Sequence, residues 1–397
     1  MLLLDFFTKP SIFTADCEFL EFALGTQHIL EKSSDYNHLH RWLGDGLLTS
    51  KGDIFAGGAR GHHLVKEPPL PLRHFVHDHD NTSAMGVTVN AQVNEDSRYV
   101  KNIQKICQLF MNRAYSIYKR NDLLYMLSLD YHKEKKVVKE LHDVTYSVID
   151  ARRKKLEKNK SDEKEVDDTG RKNKKAFLDT LLQSTIDGMP LSNEDIRAEV
   201  DTFMFGGHDT ISTTISFTLY LLSKHPDVQK LAFEEQKEIF GDDVHRNSTY
   251  SDLNKMNYLD LVIKECLRIL PPVTIIGREV TKDVKYKGNI IPAGTDIFIF
   301  IYGVLHDPKN FPDPEKFDPL RFRNSTSPAA YSYLPFSAGP RNCIGRKFAM
   351  LEMKSCVSKI LRNFELTPAS SEYTLELVSE IVLKSKNGVR AKLIKRK

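Results

Sequence analysis

One ten-residue stretch, FSAGPRNCIG at 336–345, restricts this chain more than any other. Gly339 and Gly345 bracket Cys343, and glycine lets a backbone take positive φ or approach a flat ligand with no Cβ in the way. Behind the loop, Ile344, Phe348, Leu351, Ile360 and Leu361 fall near helical spacing, which predicts a helix over about 346–364. Cys343 then sits just before a positive helix end, which favours a thiolate. The pattern suits a cysteine held out to a metal beneath a planar cofactor. A lone cysteine among glycines is more often an inert buried thiol. Here Phe336, Gly339, Arg341, Cys343 and Gly345 hold five set types in one frame, a coincidence expected on the order of once in ten thousand chains this long.

A second unusual stretch lies inside a helix. Ser192 with Asp195 three residues on is a capping-box-like start, and the helix it opens is expected to run to about Lys224, before Pro226. Its middle reads FMFGGHDT, residues 203–210. A membrane span over 202–222 is excluded on cost, since His208 and Asp209 would each oppose insertion by about 2–3 kcal/mol. Two adjacent glycines cost about 1 kcal/mol each in a helix, so Gly206 and Gly207 need a reason. A packing kink is one. A groove for a flat ligand is another, with Asp209 and Thr210 offering the carboxylate and hydroxyl of a proton relay.

Glu265 and Arg268 form an E-x-x-R pair in an apolar helix that ends at Pro271 and Pro272. The same spacing occurs at Glu95–Arg98 and Glu194–Arg197, where a surface ion pair is the default reading. Among apolar neighbours the third pair needs a further partner. Residues 284–302 alternate between turns at 287–288 and 292–294, which predicts a small β element, and the tail beyond Glu365 is expected to add one or two strands. Two helices are expected over about 95–120 and 134–158, and residues 14–50 read as helix, turn, helix. Residues 151–175 hold eleven Lys or Arg and six Asp or Glu, a solvated linker.

Together these stretches resemble the cytochrome P450 superfamily of haem-thiolate monooxygenases, whose haem loop reads F-x-x-G-x-R-x-C-x-G. Gly206 to Thr210 is similar to its oxygen-activating stretch A/G-G-x-D/E-T, and WLGDGLLTS at 42–50 resembles family 4, in its insect-like form. The resemblance spans about 14–50 and 84–397. It implies one mainly α domain over 1–397 with a small β-sheet portion, and haem b with Cys343 as the axial iron ligand. Arg278 and Arg341 would meet the haem propionates, and Phe336, Gly339, Gly345, Gly206 and Gly207 would line the cofactor. Arg321 would complete a structural network with Glu265 and Arg268. The implied reaction inserts one oxygen atom from O2 into a C–H bond of a fatty acid or related lipid, at or near its end. Electrons would come from NADPH through NADPH-cytochrome P450 reductase, with cytochrome b5 as a second donor. Many family 4 members carry a glutamate at the position of Gly206 that esterifies the haem, so here the haem is expected to be non-covalent.

Two expectations mark departures from the family. Residues 52–83 pack four glycines, three prolines and five histidines into 32 positions without periodicity. They match nothing of the family's helix there, which carries a tryptophan and an arginine for a propionate. His74, His77 and His79 could hold a metal, but an irregular foreign segment is the simpler reading. A competing reading of the chain follows: a truncated isoform or gene-model product that does not retain haem. The opening MLLLDFF stops at Lys9 and Pro10, well short of the roughly 20 apolar residues of a span, so the anchor helix is expected to be absent. The endoplasmic reticulum membrane, cytosolic face, with contact at the membrane surface, is implied by resemblance alone. A net charge of +4 on 397 residues argues against nucleic acid. Five scattered cysteines without C-x-x-C argue against a disulfide framework.

Overall fold

The computed structural model describes residues 2–6, 9–26, 28–50, 98–162, 177–186, 188–323 and 331–396. Ten elements position the residues singled out above. In chain order they are β1 (Leu2–Phe6), β2 (Lys9–Thr14), α1 (Cys17–Gly25), α2 (Arg98–Ala114), α3 (Leu129–Asp162), α4 (Asn193–Lys224), α5 (Asn257–Ile269), β3 (Ile276–Glu279), β4 (Asp296–Ile299) and α6 (Arg346–Asn363). The fold is mainly α with small sheets, as expected. Residues 1–33 with 207–397 form one compact unit, and residues 34–206 another. The segment 52–83, with its histidines, lies outside the described residues, as does the rest of the charged stretch beyond Asp162 up to 176. Up to Asp162 that stretch is not linker but the continuation of α3.

The unit of residues 34–206 is built on α2, α3 and the first half of α4. Val148, Ile149, Leu178, Ile196 and Val200 form its core where α3, the helix Phe177–Gln183 and α4 meet. The glycines of WLGDG allow residues 42–46 to lie on α4. A Cβ at Gly46 would stand 2.6 Å from the Ala198 carbonyl oxygen and 2.4 Å from Thr202 Oγ1. Trp42, 2% exposed, stacks edge-on against Phe205. Its carbonyl accepts from Arg197 Nη1 at 2.9 Å and meets His142 Nε2 at 2.8 Å. Arg197 therefore does not form the surface pair expected with Glu194. It is buried, and bonds Asp201 one turn on at 2.9 Å. Thr145 also donates to Asp201. Burial pushes the Asp201 carboxyl up to about 6, against both of these partners.

α4 begins as expected: Ser192 Oγ accepts from Asp195 N at 3.1 Å and donates to the Asp195 carboxylate at 2.8 Å. It ends at Lys224 because His225, preceding Pro226, is forced out of helical geometry, at φ −124° and ψ 77°. Within it Thr214 and Thr218 return their hydroxyls to the carbonyls of Thr210 and Thr214, both at 2.8 Å, so the polar run satisfies itself along the helix.

In the other unit, a four-stranded sheet runs in the order β1–β2–β4–β3. The apolar opening of the chain is thus a strand, paired antiparallel with β2. β2 lies parallel to β4, and β4 antiparallel to β3 with Gly277 opposite Phe298. Beta-branched Ile12, Ile276, Ile297 and Ile299 send one face into a core with Phe19, Leu20 and Val304. At the other edge of β3 a single bridge, Glu31 to Glu279, adds the segment 30–33. The tail carries more strand than expected: Phe364–Pro368 pairs Ala391–Lys395, and Leu377–Ser379 pairs Leu383–Ser385.

Candidate functional site

The cysteine loop is shaped by two glycines with different duties. Gly339 sits at φ +73°, and a Cβ there would be 1.8 Å from the Leu24 carbonyl oxygen, so only glycine lets the loop close on the end of α1. Gly345 has an ordinary φ of −79°. Its Cβ would stand 3.8 Å from Cys343 Sγ, a normal contact, so positive φ is not its reason. The loop is closed by Cys343 N donating to the Phe336 carbonyl at 2.9 Å. Arg346, first residue of α6, lies over the Phe336 ring at 5.8 Å.

Cys343 is exposed, yet the protein crowding its sulfur pushes the thiol up from its ordinary value. The N–H groups of Gly345 and Arg346 and the Arg346 charge pull the other way without winning. The helix end thus favours a thiolate, as its position suggested, but less than desolvation opposes one. A metal ion would reverse that balance, since coordination deprotonates a thiol outright.

Glu265 and Arg268 are wholly buried. Arg268 Nε and Nη2 grip both carboxylate oxygens at 2.8 and 2.9 Å. Arg321 Nε adds a third bond at 2.9 Å and the Asp318 N–H a fourth at 3.0 Å. The two guanidiniums then reach main-chain carbonyls: Arg268 those of Leu305 and Lys316, Arg321 those of Pro312 and Lys316. From there a chain of contacts leads to the cysteine loop. Phe322 packs on Tyr333 at 4.9 Å between centroids, and the Tyr333 hydroxyl donates to Lys264 on α5 at 2.9 Å. Tyr333 is three residues before Phe336, and nothing in its sequence context marked it.

Arg278, 1% exposed on β3, and Arg341, 8% exposed in the cysteine loop, are both buried cations. Arg341 Nε donates to the Leu30 carbonyl at 3.1 Å. On α4, no atom of the described residues lies within 4 Å of a Cβ built at Gly206 or Gly207. Asp209 is buried; its Oδ1 accepts from Lys384 Nζ at 2.6 Å, while Oδ2 accepts no hydrogen bond among the described residues. Lys384 comes from the tail hairpin and carried no signal in the sequence. Thr210, next along, is half-buried.

These residues fit a planar metal cofactor bearing carboxylates. Cysteine sulfur is a soft donor, the two glycines add no side chain to their helix, two arginines are buried, and one buried carboxylate oxygen has no donor among the described residues. Except for Gly206, the last residue of the other unit, every expected site residue falls in the unit of 1–33 and 207–397.

A model of the family described as Cytochrome P450 matches residues 65–389, beginning inside the stretch that looked foreign. Among curated proteins, the chain is 40% identical to Cytochrome P450 4d2 of Drosophila melanogaster, across 96% of this chain and 83% of the relative. It is 36% identical to Cytochrome P450 4d8 of the same fly, across 98% and 93%, and 39% identical to Cytochrome P450 4d1 of Drosophila simulans, across 95% and 82%.

Replacing Glu265 by Ala leaves two guanidiniums without their carboxylate, one of them fully buried, and should cost about 3–5 kcal/mol. Urea unfolding checks this; a midpoint within error of wild type would show that the network carries no stability.

Proposed function

As a member of family 4 of the cytochrome P450 superfamily this chain is a haem-dependent monooxygenase, and we propose that it hydroxylates fatty acids or related lipids at or near the terminal carbon. The family implies haem b, O2, and NADPH acting through a reductase. In the overall reaction one oxygen atom enters a C–H bond. The other leaves as water, with two electrons from NADPH and two protons. When bound, the haem supplies the oxygen-activating chemistry, with Cys343 as the thiolate ligand that favours O–O cleavage.

The observation that carries the reading is the state of Asp209. Lys384 holds one carboxylate oxygen, and the other is buried with no hydrogen-bond partner among the described residues. A carboxylate fixed in this way, one residue before the Thr210 hydroxyl, can accept a proton and pass it on with little reorganisation. Lys384, a quarter exposed, connects that carboxylate to solvent. Gly206 has no carboxylate to esterify a haem, so the cofactor is held without a covalent bond, by Cys343 and by Arg278 and Arg341 at its propionates.

No helix among the described residues is long and apolar enough to cross a membrane. Apolar side chains nevertheless crowd one exposed stretch: Tyr115, Ile117, Tyr118, Leu123, Leu127 and Leu129 are each 69–84% exposed. Such a patch suits a lipid surface, in keeping with the cytosolic face of the endoplasmic reticulum, where reductase and cytochrome b5 would supply electrons.

The first test is the reduced, carbon-monoxide-bound difference spectrum of the full chain, beside Cys343→Ala. A thiolate-type Soret band lost in the mutant, haem that extracts completely into acidified butanone, and fatty-acid turnover with reductase are expected. A folded chain that purifies without haem would reverse the reading in favour of an inactive product. Asp209→Asn should lower turnover about a hundredfold and divert NADPH electrons to peroxide, measured as product formed per NADPH. Unchanged coupling would remove Asp209 from the relay. Finally, the chain should float with phospholipid vesicles, and Leu127→Asp with Leu129→Asp should abolish flotation; equal flotation would exclude this patch.

A further inference from the structure

We propose that the segment 40–50 is a latch on α4 that holds at mildly acidic pH and releases as pH rises. The inference concerns the unit of residues 34–206 and does not need the haem reading. Docking is close: a Cβ at Gly44 would stand 3.0 Å from Ala198 Cβ, and one at Gly46 would stand 2.6 Å from the Ala198 carbonyl oxygen. Ala198 and Thr202, one turn apart, form the stripe of α4 on which the segment lies. With 3.6 residues per turn, Arg197 and Asp201 flank this stripe on one side and Glu199 on the other. The segment thus covers carboxyl groups on both flanks.

On the first flank, the Trp42 carbonyl accepts from Arg197 Nη1 at 2.9 Å and lies 2.8 Å from His142 Nε2 of α3. Arg197 Nη1 has two hydrogens for three neighbours, since Asp201 Oδ2 stands at 2.9 Å and His142 Nε2 at 2.8 Å. An ionised Asp201 draws one of those hydrogens more strongly than a neutral one, which loosens the hold on Trp42. Thr145 of α3 is the other donor to Asp201. Burial pushes His142 down, against the Trp42 carbonyl, with the charges of Arg197 and Asp143 beside it. On the second flank Leu47 N donates to Glu199 at 3.4 Å, and Asp195 is the charged neighbour one turn before. The segment's own His40 and Asp45 pair with each other at 3.1 Å, and Arg41 lies 3.7 Å from Glu134.

Burial pushes Glu199 up to about 7 and Asp201 up to about 6, against the hydrogen bonds that each accepts. Released into water, both carboxyls return toward the ordinary carboxylate range. Docking therefore takes up protons, and raising the pH through these values favours release. Release would also free Phe205, on which the Trp42 ring stacks at 4.8 Å, next to Gly206.

Trp42 is the only tryptophan in the chain, so the full chain labelled with 5-fluorotryptophan gives one fluorine resonance. NMR from pH 6 to 8, with far-UV circular dichroism alongside, should show it move from a docked position toward that of solvent-exposed tryptophan. The released-to-docked ratio should rise about tenfold over that range, with helix content unchanged. Glu199→Gln with Asp201→Asn should hold the docked position at every pH. Glu199→Gln alone, which leaves the Arg197–Asp201 pair intact, should already remove most of the response. A resonance that stays in place in wild type, a response that survives in Glu199→Gln, or a response that tracks loss of helix would overturn the latch.

Discussion

The buried carboxylate of Glu265 is the interaction on which most of the described site depends. Removing a charge from water costs several kcal/mol even after the protein relaxes, and one counter-ion seldom repays it. Here the carboxylate collects four hydrogen bonds, and its two arginines spend their remaining donors on main-chain carbonyls of a loop that has little regular structure of its own. The result is a bolt between α5 and residues 305–321. Its stability is conditional: each member is favourable only with the others present. A network of this kind specifies one arrangement of backbone more than it adds free energy. Phe322 and Tyr333 extend that arrangement to the loop that presents Cys343.

The electrostatics of the site follow the same rule of deferred compensation. Arg278 and Arg341 are buried, and desolvation pushes the Cys343 thiol up against the pull of the Gly345 and Arg346 N–H groups. Asp209 is half compensated, with Lys384 on one oxygen. Burying such groups costs free energy, and the proposed haem, with its metal and carboxylates, would offset part of it. Binding sites are where such local conflicts are tolerated.

Glycine illustrates how similar letters carry different physics. Gly339 is required by positive φ and a carbonyl 1.8 Å from its would-be Cβ and Gly46 by the close approach of a helix carbonyl, whereas nothing among the described residues crowds a Cβ at Gly206 or Gly207. Only contact distances separate these cases. Arg197 makes the same point for charge: read as half of a surface pair with Glu194, it turns inward, because the Trp42 carbonyl and Asp201 offer it buried acceptors that no local spacing encodes.

What the sequence by itself determined was local or rested on a dense motif. The span of α4 followed from a cap and a proline, and α6 from helical spacing behind Cys343. The family followed from five residues in a frame of ten, because cofactor chemistry tolerates few substitutes there. Tertiary structure alone decided the partners that come from far along the chain. Lys384 meets Asp209 across 175 positions, Arg321 meets Glu265 across 56, and the opening residues 2–6 become a strand beside β2, itself paired with residues 296–299. Burial, register and salt-bridge choice depend on which surfaces meet, and a lysine on a surface reads in sequence like Lys384, which pairs with the buried Asp209.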